Sequence, residues 1–115
     1  MTRYNKITKI FSLEDFHKSV DKKKYKDFFT TEEIKRYASR KNKGGLAARY
    51  FLKKEIIEYY KNEIKFSDIE ILNEKSGKPV FCIKKKEETA RNIFFSLSHT
   101  KTHIAIIIIF NVDKI

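Results

Sequence analysis

Apolar residues recur at helical spacing in the first half of the chain and at strand spacing in the second. Ser12-Leu13-Glu14-Asp15 reads as an N-cap followed by first-turn acids, which suit the positive end of a helix dipole. This helix turns Leu13, Phe16 and Val20 inward before reaching a lysine run. Thr30 is followed three residues later by Glu33, a capping-box arrangement opening a short helix through Ile34 and Tyr37. Asn42-Lys43-Gly44-Gly45 breaks the pattern. A longer helix is expected from about Leu46 to Lys61, with Leu46, Tyr50, Ile57 and Tyr60 on one stripe and Phe51 widening it.

From Phe66 the period shortens. Ile69 and Ile71 begin a loosely alternating strand, Asn73 to Lys78 reads as a turn, and Pro79 to Ile83 as the returning strand. Ile93–Leu97 and His103–Phe110 form two more strands around Ser98-His99-Thr100. The Ile-rich last strand is apolar on both faces and is expected to be central or covered on both sides. Helices first and strands after predict an α+β fold, helices packed on a small antiparallel sheet, in a single domain over 1–115.

Composition narrows the function classes. The 115 residues carry 26 Lys+Arg against 15 Asp+Glu, a formal charge of +11, so an acidic partner is expected. Apolar content of 41% excludes a disordered polyelectrolyte. The single cysteine, Cys82, can make neither an intramolecular disulfide nor a cysteine-based zinc site, which points to a reducing, cytoplasmic setting. No secretory signal is visible at the start, and the longest apolar run, Ile104 to Phe110, is too short to cross a bilayer as a helix. No membrane partner is expected. Nucleic acid is disfavoured: the basic clusters come without a recognition helix, paired RNP aromatics or a GXXG loop.

Several groups bear chemistry. Ser98 and His99 are adjacent on a strand, so they point to opposite faces and form no nucleophile–base pair, though hydroxyl and imidazole groups at a turn can bind phosphate. Glu55, beside Lys54, sits near the apolar stripe, where a carboxylate needs a cation or a metal unless it reaches solvent. Asp68 and Glu70 share a strand face that can hold a divalent ion or simply be solvated. His17 and His103 lack zinc-site spacing.

In order, Phe29-Thr30-Thr31-Glu32-Glu33, Leu46-Ala47-Ala48-Arg49-Tyr50-Phe51-Leu52-Lys53-Lys54-Glu55, Gly77-Lys78-Pro79 and Ser96-Leu97-Ser98-His99-Thr100 resemble four motifs of one family. This is the 4′-phosphopantetheinyl transferase superfamily, in its short holo-acyl-carrier-protein synthase type. The resemblance implies transfer of 4′-phosphopantetheine from coenzyme A to a serine of an acidic acyl carrier protein, assisted by Mg²⁺, in a homotrimer with the site between subunits. It gives Glu55 the role of metal ligand, with Lys54 its catalytic neighbour. Ser98, His99 and Thr100 would line the coenzyme A site, and Gly77, Lys78 and Pro79 the adenosine part. Lys43 and Arg49 would contact the 3′-phosphate, while Lys18 and Lys22 to Lys24 would meet the carrier.

The chain departs from the family pattern at two places. The first strand of the family carries G-x-D, whose aspartate is the second metal ligand; here the corresponding stretch is Tyr4 to Ile10, with the aspartate position at or near Lys6. The second lysine of the family's KExxxK is replaced by Tyr59, with Lys61 two residues on and Glu58 one turn after Glu55. Two alternatives therefore stand beside the transferase: a non-catalytic relative that binds coenzyme A or a carrier protein, and a basic nucleic-acid binder.

Overall fold

The computed structural model describes residues 3–73, 76, 79–83 and 93–111. The chain enters as strand β1 (Tyr4–Ser12). It turns directly into helix α1 (Leu13–Ser19) because Ser12 caps it, the hydroxyl accepting from the Asp15 amide at 3.0 Å. A 3-10 turn and the short helix α2 (Tyr25–Phe28) lead to α3 (Thr31–Tyr37). The expected capping box opens α3: Thr30 Oγ1 accepts from the Glu33 amide while the Glu33 carboxylate accepts from the Thr30 amide.

Helix α4 (Gly44–Tyr59) is the centre of the molecule. Gly44 and Gly45 lie inside its first turn, so the break in pattern falls before the glycines and not at them. The reason is contact: a Cβ at Gly44 would fall on the ring of His99. Almost every residue from Leu46 to Ile57 is buried, Lys54 excepted, so the single stripe expected from spacing is widened to nearly the whole circumference. Its neighbours account for this, with a sheet on one side and α1 and α3 on the other. The helix ends where Lys61 and Asn62 take left-handed backbone angles and the Asn62 amide bonds back to Ile57.

The remaining strands are β2 (Ile69–Asn73), β3 (Pro79–Ile83), β4 (Ile93–His99) and β5 (His103–Asn111). They form two antiparallel sheets, a β2–β3 hairpin and a three-stranded sheet in the order β1-β5-β4. In the latter, Ile106 pairs with Lys9 and Leu97, and Ile104 with Phe11 and His99. One face of β5, carrying Ile104, Ile106, Ile108 and Phe110, is buried against α4. The other is left largely open by the described residues. Ile10 is 71% exposed, Phe94 54% and Ile107 41%, all on this outer face. The Ile-rich strand is central as expected, yet the described residues leave its second face largely open.

Candidate functional site

Glu55 lies late in α4, on the side that faces β1, and is almost wholly buried. A carboxylate there must be compensated. The partner is Lys9, whose Nζ donates to Glu55 Oε1 at 2.6 Å. Period-two geometry explains the choice: Lys9 shares the inner face of β1 with Ile7 and Phe11, and Phe11 stacks on Phe51 one turn earlier in α4, at 4.0 Å between ring centroids. Lys6, three residues away, is on the opposite face, exposed and paired in register with Ile109. The lysine that confronts Glu55 is therefore Lys9 and not Lys6. Its pKa is raised, first by the hydrogen bond from its ammonium to Glu55, with the charges of Glu55 and Glu58 adding to it. The Lys9 side chain is 47% exposed against 9% for that of Glu55.

The other expected site residues are elsewhere. Lys54 is exposed, next to Glu55 in sequence. Ser98 and His99 end β4 and Thr100 begins the turn, all three exposed. The Thr100 hydroxyl accepts from the amides of Thr102 and His103 within that turn. His99 packs at Gly44, roughly 16 Å along the α4 axis from Glu55, at about 1.5 Å per residue. Within one chain the Ser98–Thr100 segment and Glu55 are not brought together.

Arg49 and Lys43 are engaged inside the protein. Arg49 is buried: it donates to the carbonyls of Ile71 and Gly45 and to Asn73 Oδ1, and stacks over Tyr37 at 3.6 Å. Burial pushes its pKa down. Lys43 Nζ donates to the carbonyls of Ala38 and Arg40, closing the end of α3. Both side chains were expected to contact a 3′-phosphate; here the Arg49 guanidinium ties α4 to β2. Gly77 and Lys78 lie outside the described residues, and Pro79 enters as the first position of β3, opposite Asn73. Asp68 and Glu70 border a groove of about 570 Å³ with Thr30 and Lys26, but each carboxylate is held, Asp68 by the Lys65 amide and Glu70 by Thr30 Oγ1 at 2.5 Å.

Sequence reasoning missed a second ion pair. Glu33 and Lys53 are fully buried and joined to each other; Glu33 also accepts from the Ile71 amide at 2.9 Å, and Lys53 donates to the Phe28 carbonyl. The signal was half visible, in the capping box. The rest of it depends on β2, 38 residues away in sequence.

No family model and no curated protein matches the chain. Solved structures do. A holo-(acyl-carrier-protein) synthase from Bacillus anthracis, in complex with CoA (3′,5′-ADP), superposes with a TM-score of 0.72 at 22% identity, over 91% of this chain and 93% of that one. The synthase from Helicobacter pylori in complex with coenzyme A gives 0.68 at 20% identity, over 90% and 97%. The synthase from Plasmodium yoelii gives 0.62 at 22%, over 94% and 96%. The fold is that of the holo-(acyl-carrier-protein) synthases.

In this synthase fold, Glu55 is the residue on which Mg²⁺ was expected. The donor set does not fit that ion. Mg²⁺ takes carboxylate, phosphate and water oxygens in an octahedron, whereas the group opposite Glu55 is an ammonium already bonded to one of its oxygens. Among the described residues no three His, Cys, Asp or Glu side chains converge as a metal site. The described residues likewise contain no helix long and apolar enough to cross a membrane.

Proposed function

We propose that the chain transfers 4′-phosphopantetheine from coenzyme A to a serine of an acyl carrier protein. One observation carries this reading: the chain takes a synthase fold over about nine-tenths of its length, and in it a buried glutamate of α4, Glu55, meets a cation from the first strand. The serine oxygen forms a bond to the phosphorus that bears pantetheine, the diphosphate P–O bond breaks, the hydroxyl proton is lost to solvent, and adenosine 3′,5′-bisphosphate leaves. Such a step asks for positioning and charge neutralisation more than covalent help. Lys9 supplies positive charge at the Glu55 seam, Lys54 extends it, and Ser98, His99 and Thr100 offer hydrogen bonds to phosphate oxygens. Gly77, Lys78 and Pro79 take the adenosine side. The chain acts as one domain in the cytoplasm, and the lysines of Lys22 to Lys24 face the acidic carrier.

The distance between His99 and Glu55 requires a second copy if both serve one site. The uncovered sheet face of Ile10, Phe94 and Ile107 supports that assembly, because an apolar face of this kind is buried by a partner. A homotrimer is the state proposed. The test is mass spectrometry of an apo acyl carrier protein incubated with the chain and coenzyme A, with Mg²⁺, Mn²⁺ or EDTA. Addition of phosphopantetheine is expected; an unchanged carrier in every condition rejects the reading.

A second reading is favoured by Lys9 itself: a relative that binds coenzyme A or the carrier without turnover. Calorimetric binding of coenzyme A together with an unmodified carrier would select it.

A further inference from the structure

We infer that the Lys9 ammonium, anchored on Glu55, takes over the charge-neutralising work of a divalent cation and binds the diphosphate of coenzyme A without metal. The inference rests on the transferase reading and specifies how its site is charged.

Three observations converge on it. The first is position. Lys9 reaches Glu55 across the seam between β1 and α4, at 2.6 Å, so a metal bound to Glu55 would have to displace an ammonium in direct contact with it. A like charge at that range opposes a cation strongly in a partly buried site. The second is charge balance. A pair of carboxylates is neutralised by a dication, whereas one lysine and one glutamate are neutral as they stand. Lys9 therefore supplies beside Glu55 the positive charge that a divalent cation would bring.

The third is spare valence. An ammonium has three N–H donors and no acceptor. Glu55 takes one, and the Lys9 side chain is 47% exposed, so its tip remains within reach of a phosphate oxygen. Glu55 is nearly buried and fixes where the ammonium stands. A lysine serves phosphate as a point charge, which suits a diphosphate presented edge-on.

Two measurements test this. In the first, Mn²⁺ alone is titrated into the protein and followed by electron paramagnetic resonance. No stoichiometric site is expected in the wild type, and one is expected in Lys9→Asp; a stoichiometric site in the wild type overturns the inference whether or not coenzyme A binds. In the second, coenzyme A is titrated calorimetrically in EDTA and in millimolar Mg²⁺. Equal affinity in both is expected, with a loss of about tenfold in Lys9→Met and recovery in Lys9→Arg. Affinity that appears only with Mg²⁺, or is indifferent to Lys9→Met, overturns the inference while leaving the transferase reading intact. No affinity in either buffer rejects both. Circular dichroism of each variant confirms that the fold is retained.

Discussion

Helix α4 supports two lysine–glutamate pairs from positions two residues apart. Lys53 meets Glu33, and Glu55 meets Lys9. Two residues along a helix is about 200°, so the pairs lie on opposite flanks: one toward α3 and β2, the other toward β1. Lys53 and Glu33 are sealed from solvent, and backbone groups from Thr30, Ile71 and Phe28 satisfy what the pair leaves over. Among the described residues Lys9 and Glu55 have no such shell, and the lysine side is half-exposed. Proton affinity follows the surroundings. Burial lowers the pKa of Lys53 despite the neighbouring carboxylate, whereas the hydrogen bond to Glu55 raises that of Lys9. The same two residue types thus make a sealed structural staple in one place and a pair that solvent can reach in the other.

Breaking the staple has the largest expected effect. Lys53→Met leaves a buried Glu33 carboxylate without its cation and should cost about 3–5 kcal/mol in urea unfolding. Removing both charges, as Glu33→Gln with Lys53→Met, should return part of that loss, with a coupling of about 1–3 kcal/mol in a double-mutant cycle. At the open pair, Lys9→Met should cost less than Lys53→Met, about 1–3 kcal/mol, since Glu55 is nearly buried but the Lys9 side is half-exposed and admits water. A larger loss would make Lys9 a second staple and erase the contrast.

The smallest effect is the response to pH. The folded pKa of Lys53 lies below its ordinary 10.5, so the unfolded chain binds more protons there and wild-type stability rises as pH climbs toward that value. The folded pKa of Lys9 lies above 10.5, so its contribution is complete below that pH and fades as pH rises through the folded value. The stability gap between wild type and Lys53→Met should therefore widen between about pH 8 and about pH 10, while that of Lys9→Met stays level. Unfolding curves at the two pH values measure both.

Much of the framework was legible in the sequence. Ser12 and Thr30 announced their helices because capping is local, and the β3, β4 and β5 strands showed in runs of β-branched and aromatic residues. The partner of Glu55 was not legible. On β1 the apolar residues Ile7, Ile10 and Phe11 do not alternate cleanly, because Ile10 is on the outer face, so the register that separates Lys9 from Lys6 had no clear local mark. Counting back in twos from Phe11, which precedes the Ser12 cap, would have given it. Burial of Glu33 was hidden for another reason: its cation and its third hydrogen bond come from elements that only the folded chain brings near.

The length of α4 has a consequence for heredity. If the His99 end of one copy works with the Glu55 end of another, each copy contributes half of two different sites. Chains disabled at Glu55 and chains disabled at His99 would then be inactive alone, yet regain carrier labelling when co-expressed. Such complementation between two defective alleles would appear in mixed oligomers and vanish if each chain carried both lesions.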